Sequence, residues 1–123
     1  MSIIQSTVEL AVHGPVIPVI VIERPQDALP LAEALLAGGV RVLEVTLRSE
    51  AALPAIEQIA RNLPEALVGA GTLRGPSDAQ RVRNAGARFA VSPGYTAALG
   101  AACRATHLPL LPGVATSSEV MMA

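Results

Sequence analysis

A chain of 123 residues with 51% hydrophobic and 15% charged content has ample apolar material for a buried core and is not a disordered composition. Its formal charge of -1, with nine scattered basic residues that are all arginine, excludes the clustered positive charge that nucleic acid or an anionic membrane requires, and one Phe, one Tyr and no Trp exclude a base-stacking surface. No uninterrupted apolar stretch of about 18 residues occurs and the start lacks the pattern of a secretory signal, so a cytoplasmic protein is expected.

In chain order, Ser6-Thr7-Val8-Glu9 matches a capping box and predicts a short helix over about residues 4–13. The apolar run Pro15 to Ile22 predicts a first strand, and Ala28, Leu31, Leu35 and Leu36 follow at helical spacing. Ala37-Gly38-Gly39 ends that helix with glycine where a left-handed residue is needed. Val40 to Leu47 predicts the second strand, Leu53, Ile56, Ile59 and Ala60 a helix, and Ala66 to Gly71 the third strand. Pro76, beside Ser77 and Asp78, opens a third crossover helix that Asn84-Ala85-Gly86 closes. Ala87 to Val91 and Leu108 to Leu111 predict the last two strands, and Ser117 to Ala123 opens a further helix. Cys103 stands alone, which excludes an internal disulfide or a cysteine-based metal cluster; it reads as a small helix-face residue.

The strand starts recur about every 20 to 25 residues, and the runs are continuous rather than alternating. That is the pattern of a parallel sheet buried on both faces, in an α/β fold of five strands and four complete helices. No linker or composition shift divides residues 1–123, which predicts one domain. Periodicity alone fits either part of a barrel or an open doubly wound sheet.

Parallel α/β proteins gather their chemistry at the carboxyl ends of the strands, which selects the residues to consider. Glu44, Thr46 and Arg48 alternate along one strand and so are expected to face one side. A buried Glu44 could have its pKa raised enough to exchange protons near neutrality, and Arg48 could fork onto a carboxylate; a structural ion pair between them is the alternative. Gly69-Ala70-Gly71-Thr72 is either a phosphate cradle or a place where a ligand or a large neighbouring side chain needs room. It lacks the Lys-Ser/Thr of a Walker motif and the third glycine of a dinucleotide fingerprint. Ser92-Pro93-Gly94 and Leu111-Pro112-Gly113 read as strand exits. His13 and His107 lack metal-ligand spacing, and no metal site is expected.

Taken together, Gly14-Pro15-Val16-Ile17-Pro18-Val19-Ile20, Ala37 to Arg48 with its Leu43-Glu44-Val45-Thr46-Leu47-Arg48 segment, Val68 to Thr72, Val91 to Gly94 and Leu110 to Gly113 closely resemble the successive strands of the 2-keto-3-deoxy-6-phosphogluconate (KDPG) and 4-hydroxy-2-oxoglutarate (KHG) aldolases. The resemblance implies a (β/α)8 TIM-barrel type and class I chemistry, in which a lysine amine attacks a 2-keto acid and the iminium acts as electron sink for carbon–carbon cleavage. It implies Glu44 as catalytic acid/base, Arg48 and Thr72 as binders of the pyruvyl carboxylate region and Pro93 as a wall of that pocket. It also implies a small-molecule 2-keto acid substrate, no cofactor and a homo-oligomer, a trimer in the family.

The family's Schiff-base lysine lies on a sixth strand, and this sequence contains no lysine. Arginine stays protonated and cannot replace it; only the terminal amine remains. The expectation is therefore a partial aldolase-type barrel, truncated to about five strands and inactive in isolation. Two alternatives are a half-barrel module that associates through bare strand edges and an apolar inner face, and another small-molecule barrel enzyme, metal-dependent or not, with Glu44 as the one plausible inward ligand.

Overall fold

The computed structural model describes residues 4–123. Five strands, β1 (Val19–Ile20), β2 (Val42–Thr46), β3 (Leu67–Gly71), β4 (Ala90–Ser92) and β5 (Leu110–Pro112), form one parallel sheet. The helices are α1 (Thr7–His13), α2 (Ala28–Ala37), α3 (Ala52–Asn62), α4 (Pro76–Asn84), α5 (Ala97–Ala105) and α6 (Ser117–Met122), with a 3-10 turn at Pro25–Asp27 feeding α2.

The spatial order is β1-β2-β3-β4-β5. This decides against the doubly wound alternative, whose strand order reverses at a switch point so that helices cover both faces. With consecutive parallel strands and crossovers of one hand, α2 to α5 all fall on the same face.

Local signals in the sequence set the ends of these elements. The first helix starts at Thr7, later than the expected residue 4, because Ser6 is extended (φ -146°, ψ 160°) and its hydroxyl accepts from Glu9 N–H at 3.1 Å. The first strand shrinks from the predicted Pro15–Ile22 to two residues: Pro15 and Pro18 have no N–H to donate, although the Pro18 carbonyl still accepts from Glu44 N–H at 3.1 Å. Pro76 opens α4 as expected, and Asp78 Oδ2 accepts from Arg74 N–H and Gly75 N–H at 3.0 and 3.3 Å.

Three helices hand over to strands through one device. Val40 N–H reaches Leu35 O, Ala87 N–H reaches Val82 O and Leu108 N–H reaches Cys103 O, at 2.9, 3.0 and 2.9 Å. Each needs a left-handed residue just before the donor. Gly39 and Gly86 supply it at φ +86° and +98°, but the third is His107 at φ +52°.

The sheet has two unlike faces. On the outer face Leu43, Val45, Val68, Ala70 and Ala90 are buried against Ala28 and Ala32 of α2, Ala52, Ala55, Ile56 and Ile59 of α3, Ala79 and Val82 of α4 and Leu99 and Cys103 of α5. Small residues dominate the helix side of that layer, so helices sit close to the sheet. On the inner face Val42, Leu67 and Phe89 are buried with Leu10 of α1 and Ile4, which close the amino ends of the strands. Toward β1 this face is open: Val19, in register with Glu44, is 63% exposed and Val21 48%. Among the described residues no helix is long and apolar enough to cross a membrane.

Candidate functional site

The inner face carries the polar residues. Glu44 sits in β2 with Val19 and Gly69 as its neighbours in register. It is 7% exposed, and its carboxylate has no hydrogen-bond or ion-pair partner among the described residues. Burial pushes its pKa above the ordinary carboxylate value, and the positive charge of Arg48 partly opposes the rise. Glu44 is therefore built to hold its proton more tightly than a surface glutamate does.

Strand alternation does not extend to Arg48. The second strand ends at Thr46, and Arg48 lies in the following turn, exposed to solvent. The turn is tied to the segment just past the first strand by the Ser49 hydroxyl, which donates to the Ile22 carbonyl, while Thr46 Oγ1 donates to Ile20 O of that strand at 3.2 Å. Arg48 is thus near enough to bias Glu44 electrostatically, yet it forms no ion pair with it within 4.0 Å. The structural ion pair considered from the sequence is not formed.

The structure decides between the two readings of Gly69-Ala70-Gly71-Thr72. A Cβ at Gly69 would run into the Phe89 ring, and one at Gly71 would run into Glu44 Oε1. Both glycines make room for large side chains on the inner face, so the segment is not a cradle of free backbone amides. Thr72, directly after β3, adopts φ +65°, which is strained for a β-branched residue. It turns the chain sharply at the carboxyl end of the strand, where it lines a cavity of about 160 Å³ with Ser49, Glu50, Arg74 and Asp78.

Pro93 is exposed just beyond β4. Its carbonyl is packed against Gly113, whose N–H donates to Ser92 O at 2.8 Å, so the exits of β4 and β5 are held together. Of the four residues singled out from the sequence, Arg48, Thr72 and Pro93 thus stand just past the carboxyl ends of three adjacent strands, and Glu44 stands at the middle of the first of them. A cavity of about 750 Å³ lies elsewhere, beside Tyr95, Cys103, His107 and Leu110, and contains none of the four.

Two contributors had little sequence signal. Phe89, the chain's one phenylalanine, fills the space beside Gly69 in the layer of Glu44; only its pairing with a glycine on the neighbouring strand could have revealed it. Ser49 anchors the turn bearing Arg48. The remaining expectations are plainly placed: Cys103 is buried in α5, where burial raises its pKa, and His13 lies in the last turn of α1. Among the described residues no three His, Cys, Asp or Glu side chains come together. The terminal amine at Met1 lies outside the described residues.

Comparison with known proteins shows the family and the fold. Residues 7–123 match the family described as KDPG and KHG aldolase. The KHG/KDPG aldolase of Escherichia coli (strain K12) is 54% identical over 109 residues, 89% of this chain and 51% of that protein. The 2-dehydro-3-deoxy-phosphogluconate aldolase of Dickeya dadantii is 50% identical over 95% of this chain and 55% of its own length. Among solved structures, the KDPG aldolase of Legionella pneumophila with pyruvate captured at low pH as a covalent carbinolamine intermediate has a TM-score of 0.85 and 54% identity, covering 89% of this chain and 53% of the other. A KDPG aldolase of Zymomonas mobilis ATCC 29191 gives a TM-score of 0.90 at 47% identity, over 95% and 56% of the two chains. The chain spans about half the length of the curated relatives it matches.

Proposed function

The chain belongs to the KDPG and KHG aldolase family, and from that premise we propose that it carries the acid/base and carboxylate-binding part of a class I aldolase site. The reaction is cleavage of 2-keto-3-deoxy-6-phosphogluconate to pyruvate and glyceraldehyde 3-phosphate, or of 4-hydroxy-2-oxoglutarate to pyruvate and glyoxylate. The observation that carries the proposal is Glu44, a nearly buried carboxyl with a raised pKa and no structural partner, at the layer below Thr72. A buried acid without a partner costs stability, and proton transfer is the use that such a group has in this family.

In this scheme Glu44 moves protons at the carbinolamine and enamine steps. Arg48 and Thr72 receive the carboxylate of the pyruvyl unit, Arg48 by its charge and Thr72 by its hydroxyl, and Pro93 closes the side of the pocket. The pyruvate carbinolamine captured in the Legionella relative supports this chemistry. These 123 residues contain no lysine, so the scheme assigns the attacking amine to the sixth-strand lysine of the family, which this sequence does not include.

The test is borohydride reduction in the presence of pyruvate. The 123-residue chain should form no adduct at an internal residue, whereas the chain fused to the carboxyl-terminal half of the Escherichia coli relative should be trapped at a lysine of the added half. In that fusion Glu44→Gln should lower kcat by about 10²- to 10⁴-fold. An internal adduct in the unfused chain would refute the assignment.

A second reading rests on the open flank of the inner face, where Val19 and Val21 are exposed and β1 and β5 each have one neighbour. Bare edges and apolar faces favour association, either with a second copy or in the homo-oligomer usual for the family. Sedimentation showing a monomer at high concentration would remove it.

A further inference from the structure

Glycine at position 71 is not required by its backbone, because the glycines with left-handed φ are Gly39 and Gly86. Nor is it required by the outer layer. A Cβ placed there would run into Glu44 Oε1 and lie 2.8 Å from Glu44 Cδ and 2.9 Å from Cγ, so the whole outer half of the Glu44 side chain lies along the bare Cα of Gly71. In register, however, Glu44 pairs with Gly69, and Gly71 pairs with Thr46. The Glu44 side chain therefore runs diagonally, one step toward the carboxyl end of β3, and its carboxylate arrives at the level of Gly71, immediately before Thr72.

The direct route across the sheet is closed. Phe89 covers Gly69, where a Cβ would be only 2.5 Å from the ring Cζ. One glycine thus admits the ring that blocks the lower position, and the other provides the groove for the carboxylate above it.

We propose that Gly71 is a positioning residue for Glu44: its missing side chain forms the groove that holds the Glu44 carboxylate against β3, at the level of Thr72. The functional consequence rests on the reading of Glu44 as the acid/base of the site; the positioning itself does not. The neighbours in register with Glu44, Val19 and Gly69, carry no charge, and Arg48 is the charged group that acts on it. Any residue larger than glycine at 71 displaces the carboxylate toward the open flank at Val19, where water stabilises its charged form.

The experiment uses the 123-residue chain in four forms: unchanged, Gly71→Ala, Glu44→Ala and the double variant. Gly71→Ala should lower the melting temperature by about 5 °C or more when Glu44 is present and by much less in the Glu44→Ala background, where the groove is empty. In folded Gly71→Ala the Glu44 carboxyl, followed by carbon-13 NMR, should titrate at lower pH than in the unchanged chain, because water reaches its charged form. Adding Glu44→Asp, one methylene shorter, should recover part of the lost stability. If Gly71→Ala folds only when Glu44 is removed, the proposal is equally supported. Equal losses in both backgrounds, failure to fold in both, or an unmoved Glu44 titration would each overturn it. In the fused enzyme, Gly71→Ala should reduce kcat by about 10- to 100-fold with little change in KM. Should Glu44→Gln leave turnover intact there, the acid/base reading fails while the coupling of 71 to 44 stands.

Discussion

The outer and inner faces of the sheet are made by the same strands, one residue apart, and they solve different problems. Outside, Leu43, Val45, Val68 and Ala70 meet alanine-rich helices in a continuous apolar layer. Inside, glycine alternates into β3 at 69 and 71, and two large side chains, Phe89 and Glu44, occupy the space those glycines leave. The outer face is where burial stabilises the chain. On the inner face a carboxyl is largely withdrawn from water at a cost in stability, one layer below a strained threonine. Period-two geometry lets one strand serve both ends, because every substitution belongs wholly to one face.

This contrast can be broken by substitutions of decreasing effect. Ile56→Ala, in the fully buried part of α3, should cost about 2 to 5 kcal/mol in chemical denaturation while the folded protein keeps its Glu44 titration. A change in that titration would show that the faces are not independent. Glu44→Gln should act in the opposite direction. A raised folded pKa means that the native state binds the proton more tightly than the unfolded chain, so this contribution is fully present below the unfolded carboxylate pKa and is lost as pH rises through the folded one. Denaturation curves should therefore show the unchanged chain losing stability over that window, and the Gln variant should lack this loss. A window in which stability instead rises with pH would contradict the burial of Glu44.

Thr72→Gly tests strain just past the carboxyl end of β3. Releasing φ +65° from a β-branched residue should raise stability by about 1 kcal/mol, and in the fused enzyme the loss of the hydroxyl should raise KM. No gain in stability would mean that the Thr72 side chain is held by contacts that offset its backbone. The smallest effect lies on the outer layer: His107→Gly should add about 0.5 to 1 kcal/mol, measured as a small rise in melting temperature, by giving the third helix-to-strand exit the residue that Gly39 and Gly86 give the other two.

Much of this molecule is legible in its sequence because the signals are local. The capping serine at 6, the proline at 76 and the glycines at 39 and 86 act within one turn of themselves, and the apolar runs mark strands whatever their neighbours are. The equivalent exit at His107 was not legible, since histidine adopts left-handed backbone far less often than glycine does and so gives no comparable signal. The polar alternation Glu44, Thr46, Arg48 gave the first two correctly, and Arg48 departed because the chain turns after Thr46, which pattern cannot show. The family, likewise, is legible in the order and spacing of five strand motifs.

Only tertiary structure decided the purpose of Gly69 and Gly71. A glycine that frees a backbone amide and a glycine that clears space for a neighbour are the same letter; the difference lies on another strand. It took Phe89, 20 residues away in the sequence and adjacent in register, and Glu44, on the opposite neighbouring strand, to fill those gaps. The sequence alone established which residues could form strands and which carboxyl could face inward. The consecutive strand order determined that the helices share one face, and cross-strand contact determined that Glu44 stands unpaired in a groove. Those facts depend on contacts between residues far apart in the chain, which local propensity does not encode.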